Sequence, residues 1–216
     1  MDIEAARQQM VDQQVRTWDV LDPRVLEALG RVPRELFVPA AYRELAFADA
    51  PIPLPAGQSM LAPKIDGRIL QACDIAPGDS VVEVGTGSGF LAACLATLGA
   101  DVETLEINAE LFEFAGANLR AAGFPSIRTR RADATAWQPA VPVDVVVLGA
   151  SLPLYDTRYQ DWLKPGGRLF VTVGSAAPMT AELVTRVGDS GFARIDLFET
   201  MLDPMVNATR PSAFVF

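Results

Sequence analysis

Short apolar runs alternate with amphipathic stretches along most of the chain, and the punctuation becomes regular from residue 65. Ile65 to Ile75 has helical spacing and stops at Pro77-Gly78-Asp79, after which Ser80-Val-Val-Glu-Val84 predicts a strand running into Gly85-Thr-Gly-Ser-Gly89. A helix over Phe90 to Leu98, a strand over Asp101 to Leu105 ending at Glu106, and a helix from about Ala109 to Ala122 come next. A strand near Ile127 to Arg131 ends at Asp133, and Val143 to Leu148 reads as a buried strand. Leu163-Lys-Pro-Gly-Gly-Arg168 predicts a tight turn into a strand over Leu169 to Val173. The remainder predicts a helix around Met179 to Gly188 and two closing strands, near Ala193 to Glu199 and Ser212 to Phe216. Strand and helix alternating at this pace imply an α/β fold with a parallel, doubly wound sheet.

The N-terminal part is patterned differently. Val20, Leu21, Val25, Leu26 and Leu29 share one helix face, with Asp22-Pro23 as a start signal and Gly30 and Val32-Pro33 as the stop. A second short helix fits Ala40 to Leu45. Ala48 to Pro63 is rich in proline, glycine and small residues, which predicts an extended loop able to approach a ligand.

Composition narrows the chemistry. With 216 residues, half of them hydrophobic, the chain can bury one sizeable core. Its longest apolar runs, such as Val143 to Ala150, are far shorter than the roughly 20 residues a membrane helix needs. The opening Met1-Asp2-Ile3-Glu4-Ala5-Ala6-Arg7 lacks the basic-then-apolar order of a secretory signal, so a cytoplasmic protein is expected. Cys73 and Cys94 lie in apolar helical stretches and read as small buried hydrophobes. There is no histidine, which removes the commonest general base and metal ligand, and no metal site is expected. A formal net charge of -9 disfavours nucleic acid as a partner. The basic patch Arg128-Thr-Arg130-Arg131 reads as a strand with solvated edge charges.

A strand ending in Gly85-Thr-Gly-Ser-Gly89 and turning into a helix offers backbone N–H groups to a ligand at the sheet's carboxyl edge. Three acids give that loop its context: Glu83 inside the strand, Glu106 at the end of the next, and Asp133 at the end of the one after. Singly they could be a solvated strand end, a neighbour of a helix cap and a turn residue. Around one crevice, Glu106 can accept both ribose hydroxyls of a nucleoside and Asp133 its adenine amino group. No lysine or arginine follows the glycines to meet a phosphate. A cationic, phosphate-free nucleoside therefore fits best, and S-adenosylmethionine is that ligand.

Glu-Val-Gly-Thr-Gly-Ser-Gly-Phe, the Leu-Lys-Pro-Gly-Gly-Arg-Leu turn, Met10-Val-Asp-Gln-Gln-Val-Arg16, Asp22-Pro-Arg-Val-Leu26 and Val32-Pro-Arg-Glu-Leu-Phe-Val38 together resemble the protein-L-isoaspartate O-methyltransferase family. The N-terminal motifs carry most of that specificity. The resemblance implies a Rossmann-like class I methyltransferase, with a seven-stranded, mostly parallel sheet, helices on both faces and an N-terminal helical extension. Residues 1–63 would be the extension with its substrate loop, and 64–216 the S-adenosylmethionine-dependent methyltransferase domain, in one structural unit. It also implies a role in protein repair, methylating the carboxylate of isoaspartyl residues in a protein or peptide. By motif match, Glu83, Gly85, Thr86, Gly87, Ser88, Gly89, Glu106 and Asp133 would be cofactor residues.

The acceptor loop departs from the family. The family reads Gly-Gln-Thr-Ile-Ser-x-Pro with its catalytic residue at the serine, whereas this chain has Gly57-Gln58-Ser59-Met60-Leu61-Ala62-Pro63. Leu61 stands at the catalytic position. Ser59 could supply a catalytic hydroxyl only if the loop shifted; otherwise it bonds its own backbone. Ser59, Leu61, Pro63 and Ser151 are the candidate substrate-binding residues, Ser151 competing with a role as an ordinary helix cap. Phe198-Glu-Thr-Met-Leu-Asp-Pro-Met-Val-Asn207 also diverges from the family. Three readings follow: an isoaspartyl or related carboxylate methyltransferase, a methyltransferase of the same fold with another acceptor, and a non-catalytic S-adenosylmethionine-binding module.

Overall fold

The alternating strands and helices assemble as their pattern dictates. The computed structural model describes residues 2–211. Strands β1 (Ser80–Val84), β2 (Asp101–Glu106), β3 (Arg128–Arg131), β4 (Val143–Leu152), β5 (Leu163–Val173), β6 (Met179–Val187) and β7 (Gly191–Thr200) form one sheet. Their spatial order is β3-β2-β1-β4-β5-β6-β7. The first five pair parallel, and β6 and β7 return antiparallel. The result is a Rossmann-like, mostly parallel, seven-stranded sheet whose strand order reverses between β1 and β4. A ligand crevice forms at such a reversal, because the connections leave the sheet on opposite sides of it.

Helices α1 (Ile3–Met10), α2 (Pro23–Arg31), α3 (Pro63–Cys73), α4 (Phe90–Thr97) and α5 (Ala109–Ala121) share one hydrophobic core with one face of the sheet. Val81, Val102, Val145, Val147 and Phe170 meet Ile69 and Leu70 of α3, Phe90 and Leu91 of α4 and Leu119 of α5 there. Met10, Val15, Leu29, Phe37 and Ile52 belong to the same core, so the segment that precedes α3 is packed into it. The opposite face, with Val82, Val84, Val146, Leu148 and Val171, is covered by Tyr159 and Trp162 of a 3-10 helix (Thr157–Trp162) and by Met205. Cys73 and Cys94 are free and buried.

Two local expectations are corrected. The helix expected around Met179 to Gly188 is instead strand β6 (Met179–Val187), paired with β5 and β7, with Ala181 in the core on one face of the sheet and Val184 in the core on the other. Glu182, on the same face as Val184, is buried too and is neutralised by Arg194 of β7, while the bulge opposite it inserts Leu197 into β7. The expected turn at Leu163 to Arg168 lies within β5: its partners on β4 jump from Val143↔Leu163 to Val145↔Arg168, so Pro165-Gly166-Gly167 bulges from the ladder. The short helix expected over Ala40 to Leu45 forms there, as a 3-10 helix. The strand expected at Ser212 to Phe216 lies outside the described residues.

Strand β3 is an edge strand, and its arginines serve as edge charges. Arg128 reaches Asp101 at 2.5 Å and Arg130 reaches Glu103 at 2.6 Å, both on the neighbouring β2. Among the described residues no helix is long and apolar enough to cross a membrane.

Gly67 shows how closely the N-terminal segment is fitted. A Cβ there would sit 2.8 Å from Val15 Cγ1 and 3.1 Å from Val20 Cγ2, both buried side chains with no room to retreat. In an unpacked helix, Gly→Ala would gain about 1 kcal/mol. Here overpacking reverses the sign, and Gly67→Ala is expected to lower stability by about 1–3 kcal/mol, read as a fall in the urea midpoint. A raised midpoint would contradict this packing.

Candidate functional site

The carboxyl ends of β1, β2, β3 and β4 open into a cavity of about 910 Å³, large enough for a nucleoside and part of an acceptor. Gly85 and Gly87 form its floor, and the backbone there takes φ of +90° and +55°, which favours glycine at both positions. The amide of Gly85 donates to Leu105 O at 2.8 Å and ties the loop to β2. Across the strand reversal, Gly149 of β4 approaches so closely that a Cβ would lie 3.1 Å from Gly85 O. The rest of the loop shapes this floor without lining it. Ser88 Oγ accepts from the Phe90 amide at 3.2 Å, Asn118 Nδ2 donates to Ser88 O at 3.0 Å, and Gly89 opens α4 against Leu119.

Two of the three acids face the cavity. Glu106 is pinned by the Gly87 amide (3.0 Å, to Oε2) and the Asn108 amide (2.9 Å, to Oε1), which leaves each oxygen a lone pair for a further donor. Asp133 accepts from the Thr135 amide and hydroxyl at 2.8 and 2.7 Å and from Asn207 Nδ2 at 2.8 Å. Burial pushes the Asp133 carboxyl up, but the Thr135 and Asn207 donors outweigh it and hold the group below its ordinary range.

Glu83 instead turns into the protein, beneath the loop. Thr104 Oγ1 donates to Glu83 Oε2 at 2.5 Å and lies 2.7 Å from Thr86 Oγ1, so a chain of three buried side chains braces the glycine loop from below. Burial raises the Glu83 carboxyl to about 8; the Thr104 hydrogen bond opposes this, and the nearby Asp66 and Glu106 carboxylates add to it.

On the acceptor side, Ile52–Pro53 and Ser59–Met60 pair as a small antiparallel hairpin. Ser59 and Leu61 both line the cavity, whereas Pro63 is the buried first residue of α3. The loop is anchored by a residue the sequence reading did not single out. Arg34 is fully buried; its Nε donates to Ala46 O at 2.9 Å, Nη1 to Asp66 Oδ2 at 2.8 Å and Nη2 to Leu61 O at 2.5 Å. Its guanidinium also lies 4.6 Å from the centre of the Phe90 ring.

Ser151 faces away from the cavity. It is fully buried, its hydroxyl bonds Leu202 O at 3.2 Å, and its amide and carbonyl bond Asp203 O and the Met205 amide. Its role is to tie down residues 202–205, and that divergent segment, from Glu199 to Val206, lines the cavity. Asp49, Lys64 and Trp18 line it too, with Lys64 Nζ 2.8 Å from Asp49 Oδ2 and 4.2 Å from the Trp18 ring centre. Among the described residues no group of acids and cysteines is arranged to hold a metal ion.

The family model described as Protein-L-isoaspartate(D-aspartate) O-methyltransferase matches residues 5–209, nearly the whole chain. The chain belongs to this methyltransferase family. A protein-L-isoaspartate O-methyltransferase of Rhodopseudomonas palustris is 39% identical over 202 residues, covering 92% of this chain and 92% of the relative. Another, of Methylorubrum populi, is 37% identical over 204 residues, covering 94% and 96%. A crystal structure of a Plasmodium falciparum protein of the same description, holding S-adenosyl-L-homocysteine, superposes with a TM-score of 0.79. At 18% identity over 92% of this chain and 97% of that one, it shares the fold.

The raised carboxyls make stability depend on pH. In the unfolded chain a glutamate ionises near 4.5, whereas native Glu83 keeps its proton to about 8, so between those values the native state binds more protons. The unfolding free energy should therefore fall as pH rises from about 4.5 to about 8. Asp66, raised to about 6 by burial, acts in the same direction at the lower end of that window. Glu83→Gln mimics the protonated form and should flatten the decline in urea titrations at pH 5 and pH 8. An equal decline in the variant would show that Glu83 ionises freely in the fold.

Proposed function

We propose that the protein is an S-adenosylmethionine-dependent methyltransferase that esterifies an isoaspartyl carboxylate in a protein or peptide. The observation that carries this reading is the continuity of one cavity from Gly87, Glu106 and Asp133 to the Ser59–Leu61 loop, so that donor and acceptor can meet inside it. The donor set suits the cofactor: two carboxylates with accepting capacity, a floor without side chains at Gly85 and Gly87, and no cation beside the glycines.

In this reading Glu106 accepts from the ribose hydroxyls and Asp133 from the adenine amino group, while Gly85 and Gly87 admit the cofactor against the backbone. When bound, S-adenosylmethionine supplies an electrophilic methyl on a sulfonium. The chain's part is to align the nucleophile in line with that methyl and keep water out, using the apolar wall of Leu54, Met60, Leu61 and Ala62. A carboxylate acceptor, with a reference pKa of about 4, is ionised at neutral pH and needs no general base. A chain without histidine can therefore do this chemistry. Glu83 acts beneath the loop as a brace.

Leu61 supports a second reading, a methyltransferase of this fold with another acceptor, because its side chain offers no hydroxyl at the family's catalytic position. The cofactor half is tested by titrating S-adenosylmethionine into Glu106→Ala. Loss of charge-assisted hydrogen bonds to ribose should weaken binding roughly tenfold to a hundredfold, and unchanged affinity would remove Glu106 from the site. The acceptor half is tested with labelled cofactor and an isoaspartyl peptide, comparing the wild type with Leu61→Ser. Base-labile label on the peptide from the wild type is the expected result. Incorporation by Leu61→Ser alone would assign the native protein another acceptor, and cofactor binding with no transfer to any acceptor would make it a binding module.

A further inference from the structure

Among the described residues lining the cavity, five are acidic, Asp49, Glu106, Asp133, Glu199 and Asp203, and only Lys64 is basic. A wall of that sign repels an anionic acceptor everywhere except near the ammonium group. Lys64 is the second residue of α3, three positions after Leu61, so it projects from the end of the acceptor loop. Its side chain is 21% exposed and held by Asp49 at 2.8 Å and the Trp18 face at 4.2 Å. An ammonium has three donors, and among the described residues Asp49 is its one hydrogen-bond partner.

We propose that Lys64 is the acceptor-carboxylate subsite and that Asp49 is its exchangeable counterion; this rests on the carboxylate-methylating reading above. An incoming carboxylate places one oxygen on Lys64 Nζ, while a lone pair on its other oxygen forms the new O–CH3 bond. As that bond forms, the C–S bond breaks and its electron pair leaves on sulfur as a neutral thioether. The acceptor becomes a neutral methyl ester, and no proton moves. The ester has lost the charge that held it to Lys64, so the Lys64–Asp49 pair closes again and favours product release. Such a contact is made in the ground state and weakens as the carboxylate loses its charge, so it lowers KM and does not accelerate the chemical step.

Lys64 and Asp49 then have opposite effects, which a merely structural ion pair would not produce. With an isoaspartyl peptide as acceptor, Lys64→Gln should raise KM roughly tenfold or more with kcat at or above the wild-type value. Lys64→Arg should restore most of the loss, and Asp49→Asn should lower KM by removing the competing carboxylate. Affinity for S-adenosylmethionine, measured separately, should stay unchanged in all three and shows that each is folded. An unchanged KM in Lys64→Gln, or a KM that moves the same way in Lys64→Gln and Asp49→Asn, would overturn the proposal. Peptide binding, followed by Trp18 fluorescence without methyl transfer, separates the two levels. A wild type that binds the peptide through Lys64 but transfers nothing contradicts the functional reading alone. A wild type that methylates it with no dependence on Lys64 contradicts this proposal alone, and one that neither binds nor methylates it contradicts both.

Discussion

The buried Arg34 guanidinium is the interaction on which the site depends. The acceptor loop has only a two-residue hairpin of its own, too little to fix its position. Arg34 supplies what is missing by holding Leu61 O, Ala46 O and Asp66 at once, with Phe90 of α4 beneath it. It thereby locks the N-terminal segment, the acceptor loop, α3 and α4 into one arrangement. A buried ion pair is a poor source of net stability, because desolvation offsets its attraction, yet removing one partner costs about 3–5 kcal/mol. Its value here is geometric: the Leu61 carbonyl is held by Arg34 while the Leu61 side chain borders the cavity.

The glycine-loop half of the cavity is built on the same principle of support from below. Glu83, Thr104 and Thr86 form a buried chain under the glycine loop, and Glu106 holds the Gly87 amide from the side. Beyond it, Ser151 and Asn207 draw the 202–207 segment toward β4 and Asp133, so the segment lines the rim of the cavity from the far side. The acceptor loop and the C-terminal segment thus border one cavity, each held by a buried polar residue distant in sequence.

The parts legible in the sequence are those set by local pattern. Strand ends at Glu106 and Asp133, the glycine turn at Gly85 to Gly89 and the arginine-bearing edge at β3 can each be read from a few neighbouring residues. The misread parts depend on distant partners. Met179 to Gly188 contains helix-favouring Ala181, Glu182 and Leu183, and it becomes a strand because β5 and β7 flank it and Arg194 neutralises Glu182. Ser151 comes just after the apolar run Val143 to Leu148, as a cavity residue would, but it lies within β4, and the face it takes goes with its bonds to residues 202–205. Lys64 and Asp49 lie 15 positions apart, on either side of the small hairpin, and Arg34 gathers partners up to 32 positions away. No spacing rule reports such contacts. The family motif Val32-Pro-Arg-Glu-Leu-Phe-Val38 contains Arg34 and marks the position without giving its role.

The central claim is that one cavity seats the nucleoside at its glycine-loop end and leaves the acceptor loop facing the reactive sulfur. A crystal structure of the protein soaked with S-adenosyl-L-homocysteine tests it most directly. The account predicts both ribose hydroxyls on the Glu106 carboxylate, the adenine amino group beside Asp133, and the thioether sulfur directed toward Leu61 and Lys64. A nucleoside bound away from Glu106, or one whose sulfur points away from the acceptor loop, would contradict it.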